Sequence, residues 1–181
     1  MALLILGVAL WAFAHFFKRL APARRAALGD KGKGLVAVAL GVSIVLMVLG
    51  YRMADGTVLW GRSAALVGIN NLLMLLAFYV FAASVRGTRI TRWIRHAQLT
   101  AVAIWSVAHL LVNGDTPSFV LFGGLALWAL VHMQLINRAE GPRAPYVAPA
   151  MKSEILAAVI SLVAFTLVAL IHLWLGVNPF G

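Results

Sequence analysis

Four of the five histidines in this 181-residue chain stand inside apolar runs, and three of those follow a tryptophan by four residues: Trp11/His15, Trp105/His109 and Trp128/His132. One turn of helix sets each indole against its imidazole. A neutral imidazole is a nitrogen ligand for a metal. An indole beside it is a flat apolar wall of the kind that a porphyrin or a polyene packs against. The fourth, His172, lies in the last apolar run, two residues before Trp174. An ionisable side chain in hydrocarbon is expensive to insert and so marks a working site by default. The plainer alternative is that indoles pack between helices and each histidine hydrogen-bonds a neighbour. That account suffices for any one histidine; the repeated pair, with only six tryptophans in the chain, argues for function.

Composition narrows the chemistry. The chain has no cysteine, which removes disulfides, thiolate metal sites, iron–sulfur clusters and covalently attached haem together. No H-E-x-x-H stretch occurs and the apolar runs contain almost no carboxylate, so hydrolytic zinc chemistry lacks its base and serine hydrolysis its acid. Neutral imidazoles on facing helices are the usual way to hold haem b inside a bundle. Haem b is therefore the cofactor that these donors best suit.

The elements that must position the histidines are membrane helices. The chain is 63% hydrophobic and 11% charged, with a mean hydropathy of +0.97. Its apolar runs approach the roughly 20 residues that cross a bilayer. They lack the alternation of barrel strands, and hydrocarbon leaves backbone amides no water, so helices are expected. The fold class is all-α: a polytopic membrane helix bundle forming one domain over 1–181, with about six transmembrane helices near 2–17, 35–50, 64–85, 97–112, 117–136 and 154–175. The connection KRLAPARRAALGDKGKG reads as a loop, as does the Pro-rich RAEGPRAPYVAPAMK.

Net charge +10 and a pI near 11.4 would suggest nucleic acid in a soluble protein. Here thirteen of the fifteen Lys and Arg residues fall in the first, third and fifth connections. The positive-inside rule makes that side cytoplasmic, places both termini outside, and accounts for the charge with no nucleic acid partner. Met1–Phe17 has Lys18-Arg19 behind it and no basic residue in front, so it reads as a retained first span rather than a cleaved signal. Membrane lipid is the first expected partner. Asn70 and Asn71 are adjacent amides within the third run, and at least one is expected to face the interior.

Depth limits which histidines can meet. His15 lies three residues from Lys18 and His132 six from Arg138, near the cytoplasmic face, whereas His109 and His172 lie six or seven residues from the outer boundary. The matched pairs are His109 with His172 and His15 with His132. His109 is about 20 Å along its helix from Arg95. Trp105, Ser106, His109 and Asn113 share one face of that helix.

The stretch ITRWIRHAQLTAVAIWSVAHLLVNGD resembles the central block of the NnrU family, in which R-H-P-x-(L/M) is followed by W-x-x-A-H. Here Ala97 takes the place of the family's usual proline. His15 and APARRAALGDKGKG resemble the family's N-terminal half. The family is named from bacterial nitrite and nitric oxide metabolism, and a plant relative, zeta-carotene isomerase, is similar over the same block. The resemblance implies an integral protein of the bacterial inner membrane that binds haem b and serves denitrification. It places the iron ligands on His15 and His109, with His132 matching another family histidine; Trp11 and Trp105, each one turn from its histidine, are expected to pack on the macrocycle. His172 remains the alternative partner that depth selects for His109. The resemblance also allows a haem-dependent cis–trans isomerase of an apolar polyene; a non-enzymatic assembly or transport accessory is the rival class. Ser106 stands where the isomerase carries cysteine, so no thiolate ligand is available here.

With no native cysteine, single cysteines report sidedness. Lys31→Cys should resist a membrane-impermeant maleimide applied to spheroplasts while Asp55→Cys reacts; the reverse pattern would invert the topology.

Overall fold

In the computed structural model, which describes residues 1–181, the chain is helical apart from short connections. Five helices are long and apolar enough to cross a membrane: α1 (Ala2–Leu20), α3 (Gly29–Arg52), α4 (Ala64–Arg86), α6 (Thr116–Glu140) and α7 (Met151–Trp174). A sixth, α5 (Ala97–Val112), is apolar but only 16 residues long, about 24 Å by its rise. The all-α, multi-pass expectation holds, with five full-length helices and one short one.

The first connection departs from its expected loop. α1 continues through Lys18 and Arg19 to Leu20, a short α2 (Pro22–Ala27) follows, and α3 already begins at Gly29. Pro22 opens α2, where its fixed φ favours a helix and its missing N–H is no loss. Alanine and arginine then propagate it. Gly29 breaks the two helices apart at φ +51, a conformation that glycine adopts without strain. Asp30 in the first turn of α3 complements the dipole and receives Lys33 at 2.8 Å. The fifth expected span likewise starts one residue early: Asp115 accepts from Ser118 N at 2.8 Å to cap α6, and Pro117 sits in its first turn. A single π turn, Phe119–Gly123, interrupts that helix.

The chain divides into two compact units. The first comprises residues 1–59 and 114–141, the second residues 60–113 and 142–181.

In the first unit, α1 packs along α3 and α6. The α1–α3 contact is made by small residues. A Cβ at Gly7 would stand 2.7 Å from Met47 N, and one at Gly50 would stand 2.7 Å from Leu4 Cα. Leu4 and Ser43 are fully buried there, the Ser43 hydroxyl donating to Leu40 O at 2.7 Å. Between helices already in lipid, such close approach and van der Waals packing supply the association that the hydrophobic effect supplies in water. Tyr51 and Ser118 hydroxyls meet at 2.8 Å, and Thr57 O accepts from Thr116 N at 3.1 Å. At the other end Arg19 pairs with Glu140 at 2.6 Å.

In the second unit, α4 packs on both α5 and α7. Ser63 caps α4, accepting from Leu66 N at 3.3 Å, and Gly87 closes it at φ +66. Val80, Ala97 and Ala101 form a buried nucleus with Ile90, Ile94 and Ile104 around it. Glu154 at the start of α7 ties this end together, accepting from Arg89 N at 2.6 Å and from Tyr79 Oη at 3.3 Å. Arg143 donates to the carbonyls of Arg92 and Thr91. At the opposite end Arg62 donates to Asn178 O at 2.7 Å.

Gly50→Val should lower stability in mild detergent by about 1–3 kcal/mol through overpacking against α1. Gly41→Val, on the same helix with nothing within 4 Å of its Cβ, should be neutral; equal melting temperatures would refute the close-contact account.

Candidate functional site

Three of the membrane histidines make the same bond. The Nδ1 of His15 lies 2.9 Å from Trp11 O, that of His109 lies 3.0 Å from Trp105 O, and that of His172 lies 2.7 Å from Val168 O. Each partner is the carbonyl one turn back. A carbonyl oxygen only accepts, so each Nδ1 carries the proton and each Nε2 the lone pair. This tautomer is the one a metal-ligating histidine needs: a second N–H anchored on a carbonyl fixes the ring and raises the basicity of the ligating nitrogen.

The second unit holds both His109, on α5, and His172, on α7. Trp105 lies against His109 with ring centroids 4.9 Å apart. Asn113 Nδ2 donates to His109 O at 2.9 Å, and Trp60 Nε1 reaches the Leu110 and Leu111 carbonyls at 3.2 Å each. The Trp60 bonds satisfy carbonyls that the end of α5 leaves open, while His109 O already accepts from Asn113 N at 2.9 Å and gains the side chain as a second donor. Ser106, between Trp105 and His109, is fully buried. Asn70 is buried as expected, donating to Asn71 Oδ1 at 3.1 Å, while Asn71 donates to Pro179 O at 3.2 Å. An apolar groove of about 200 Å³ runs between α4 and α5, lined by Met74, Phe78, Phe81 and Trp105 among others.

The first unit gathers the other set. Trp11 and Trp128 lie 4.4 Å and 4.6 Å from His15 between ring centroids, and His132 lies 5.9 Å from it. Depth alone had matched His15 with His132, which the first unit brings together, and His109 with His172, which both lie in the second unit. His15 and His109, matched by the resemblance, belong to different units. His96 lies outside both clusters as the residue preceding α5.

A family model described as NnrU protein matches residues 3–179, nearly the whole chain. The chain belongs to the NnrU family. No curated protein and no solved structure matches it. The NnrU match spans both units, so both histidine pairs fall within the family's extent.

Several polar atoms in this NnrU chain are buried without a hydrogen-bond partner, among them Trp11 Nε1, Trp128 Nε1, Asn70 Oδ1 and Ser106 Oγ. Ser43, Ser84 and Ser161 donate to the carbonyl three residues back; Ser106 does not. Sequence reading pointed to Ser106 through the helix face it shares with His109 and through the isomerase cysteine it replaces, and passed over Trp128 as a donor. It also gave Glu154 and Arg143 no role, although an acid beside the membrane in a chain with five acidic residues was a usable signal.

Ser106→Ala should leave the melting temperature of the purified protein unchanged or raise it, since it removes a buried hydroxyl that has no partner, worth about 1–3 kcal/mol in desolvation. A clear fall in melting temperature would show that Ser106 is bonded in the isolated protein.

Proposed function

We propose that this NnrU family member is a bacterial inner-membrane protein that holds haem b on His109 and His172 and serves nitrite and nitric oxide metabolism. The observation that carries the reading is the shared tautomer of two histidines of the second unit, on α5 and α7, each with its Nδ1–H on its own helix, which makes Nε2 the basic nitrogen of each ring. The donor set fits the group. Two neutral imidazoles in a low-dielectric layer suit haem iron, and no carboxylate competes among the residues of the cluster.

The residues around the pair have definite roles. The Nδ1–H bonds fix both rings and strengthen Nε2 as a donor. Trp105 supplies an apolar wall beside His109, and the α5 end is held by Asn113 and Trp60 so that the histidine does not fray with it. Bound there, haem iron supplies a site for nitric oxide or for one-electron transfer. The family's naming from nitrite and nitric oxide metabolism supports the first use.

A second reading, haem-dependent cis–trans isomerisation of an apolar polyene, is favoured by the groove beside Trp105. Its lining is entirely apolar and aromatic, a surface suited to a hydrocarbon chain.

A reduced-minus-oxidised spectrum with pyridine haemochrome quantification tests the cofactor. Near-stoichiometric b-type bands are expected from the wild type. His109→Ala and His172→Ala should each lower occupancy at least about tenfold, with the helical circular dichroism retained. Loss in His15→Ala with retention in His172→Ala would move the ligand pair, and no haem in the wild type under ample supply would leave the accessory class in front.

A further inference from the structure

α3 turns one line of residues toward α1, and the two ends of that line are packed differently. Gly32, Val36, Ala39, Ser43, Met47 and Gly50 recur every three or four residues on one face. From Ser43 to Gly50 the contact is close, with Gly7 and Leu4 seated against it. Beside Val36 and Ala39 the helices instead leave an apolar groove of about 360 Å³, walled by Phe13, Phe17 and Leu20 of α1 and by Leu35, Val36 and Ala39 of α3. From Leu10 to Leu20 it runs about 15 Å along α1. That is about half of an average hydrocarbon layer, or one leaflet.

The group at the foot of the groove selects the occupant. Gly32 is buried and lies one turn before Val36 on the groove line. The Arg25 guanidinium rests on it, since a Cβ at Gly32 would stand 2.7 Å from Arg25 Nη1. The same nitrogen donates to Gly29 O at 3.1 Å, which holds the guanidinium there and uses one of its five N–H groups. No carboxylate pairs with it. Asp30, the acid of this connection, holds Lys33 at 2.8 Å and stands about half a turn around α3 from the groove line. Glu140 holds Arg19, on the far side of α1 from Phe17. Lys31, one turn before Leu35, adds a second cation at the foot.

A held arginine fork below an apolar groove one leaflet long fits a phosphate below an acyl chain. A zwitterionic headgroup would bring an ammonium to a place with cations and no free acid; an anionic headgroup brings none. We propose that the first unit binds one anionic phospholipid from the leaflet at its basic end, an acyl chain in the α1–α3 groove and the phosphate on Arg25. The groove lies on the face of α1 opposite His15 and uses no member of the His109–His172 pair, so it stands or falls apart from the haem reading.

The test titrates the full-length protein in dodecyl maltoside with dioleoyl phosphatidylglycerol and, in parallel, with dioleoyl phosphatidylcholine, reading bound lipid by native mass spectrometry and the melting temperature. The wild type should retain one phosphatidylglycerol per chain and melt higher with it. Phosphatidylcholine, with identical chains, should bind about tenfold more weakly, and inorganic phosphate should not raise the melting temperature. Arg25→Gln should weaken phosphatidylglycerol binding about tenfold, whereas Arg86→Gln, which removes the same charge from the second unit, should leave it unchanged. Ala39→Phe fills the groove and should abolish the lipid-dependent rise in melting temperature while the helical circular dichroism is retained. Equal retention of the two lipids, an equal rise with inorganic phosphate, or the equal loss in Arg25→Gln and Arg86→Gln that diffuse charge attraction gives, would overturn the proposal.

Discussion

A polar group inside hydrocarbon has no water to turn to, and the placement of side chains in this protein follows from that scarcity. The three anchored histidines resolve it locally, each returning its Nδ1 proton to a carbonyl of its own helix. The helix thus completes half of the imidazole's hydrogen bonding before any neighbour is met. What remains is a single directed lone pair. Trp60 does the same service for the Leu110 and Leu111 carbonyls at the end of α5 and Asn113 gives His109 O a second donor, so His109 sits on a finished helix terminus.

Association of the helices obeys the same economy. With lipid as apolar as leucine, side chains such as Phe13 and Leu72 lie largely exposed to it and gain little from turning inward. Contact therefore concentrates where atoms can come closest, at Gly7 and Gly50 in the first unit and around Ala97 and Ala101 in the second. Charged groups are kept to the ends, where Arg19–Glu140 is partly exposed and adds less than about 1 kcal/mol, while Glu154 gathers a backbone N–H and a phenol in the second unit.

Much of this was legible in the chain. Apolar run lengths gave the helices, and counting residues from basic boundaries matched His15 to His132, whose rings the structure brings to 5.9 Å, because rise per residue converts sequence position into depth. The first connection, expected to be a loop, carries three glycines, Gly29, Gly32 and Gly34. In the structure only Gly29 has the positive φ of a break. Gly32 is helical and serves a close approach instead, since a Cβ there would stand 2.7 Å from the Arg25 guanidinium and 2.8 Å from Leu28. The unsatisfied indoles were not legible either. A missing hydrogen bond belongs to no residue type; Trp60 and Trp128 have the same donor, and only the fold shows that one reaches two carbonyls and the other none.

The brevity of α5 has a consequence for the surrounding lipid. At about 24 Å it falls about 6 Å short of an average hydrocarbon layer. A bilayer meets such hydrophobic mismatch by thinning, which draws headgroups and water toward the shorter element. His109 lies within one turn of one end of α5, so thinning at that end would bring headgroups and water toward the imidazole, and the more so the thicker the bilayer.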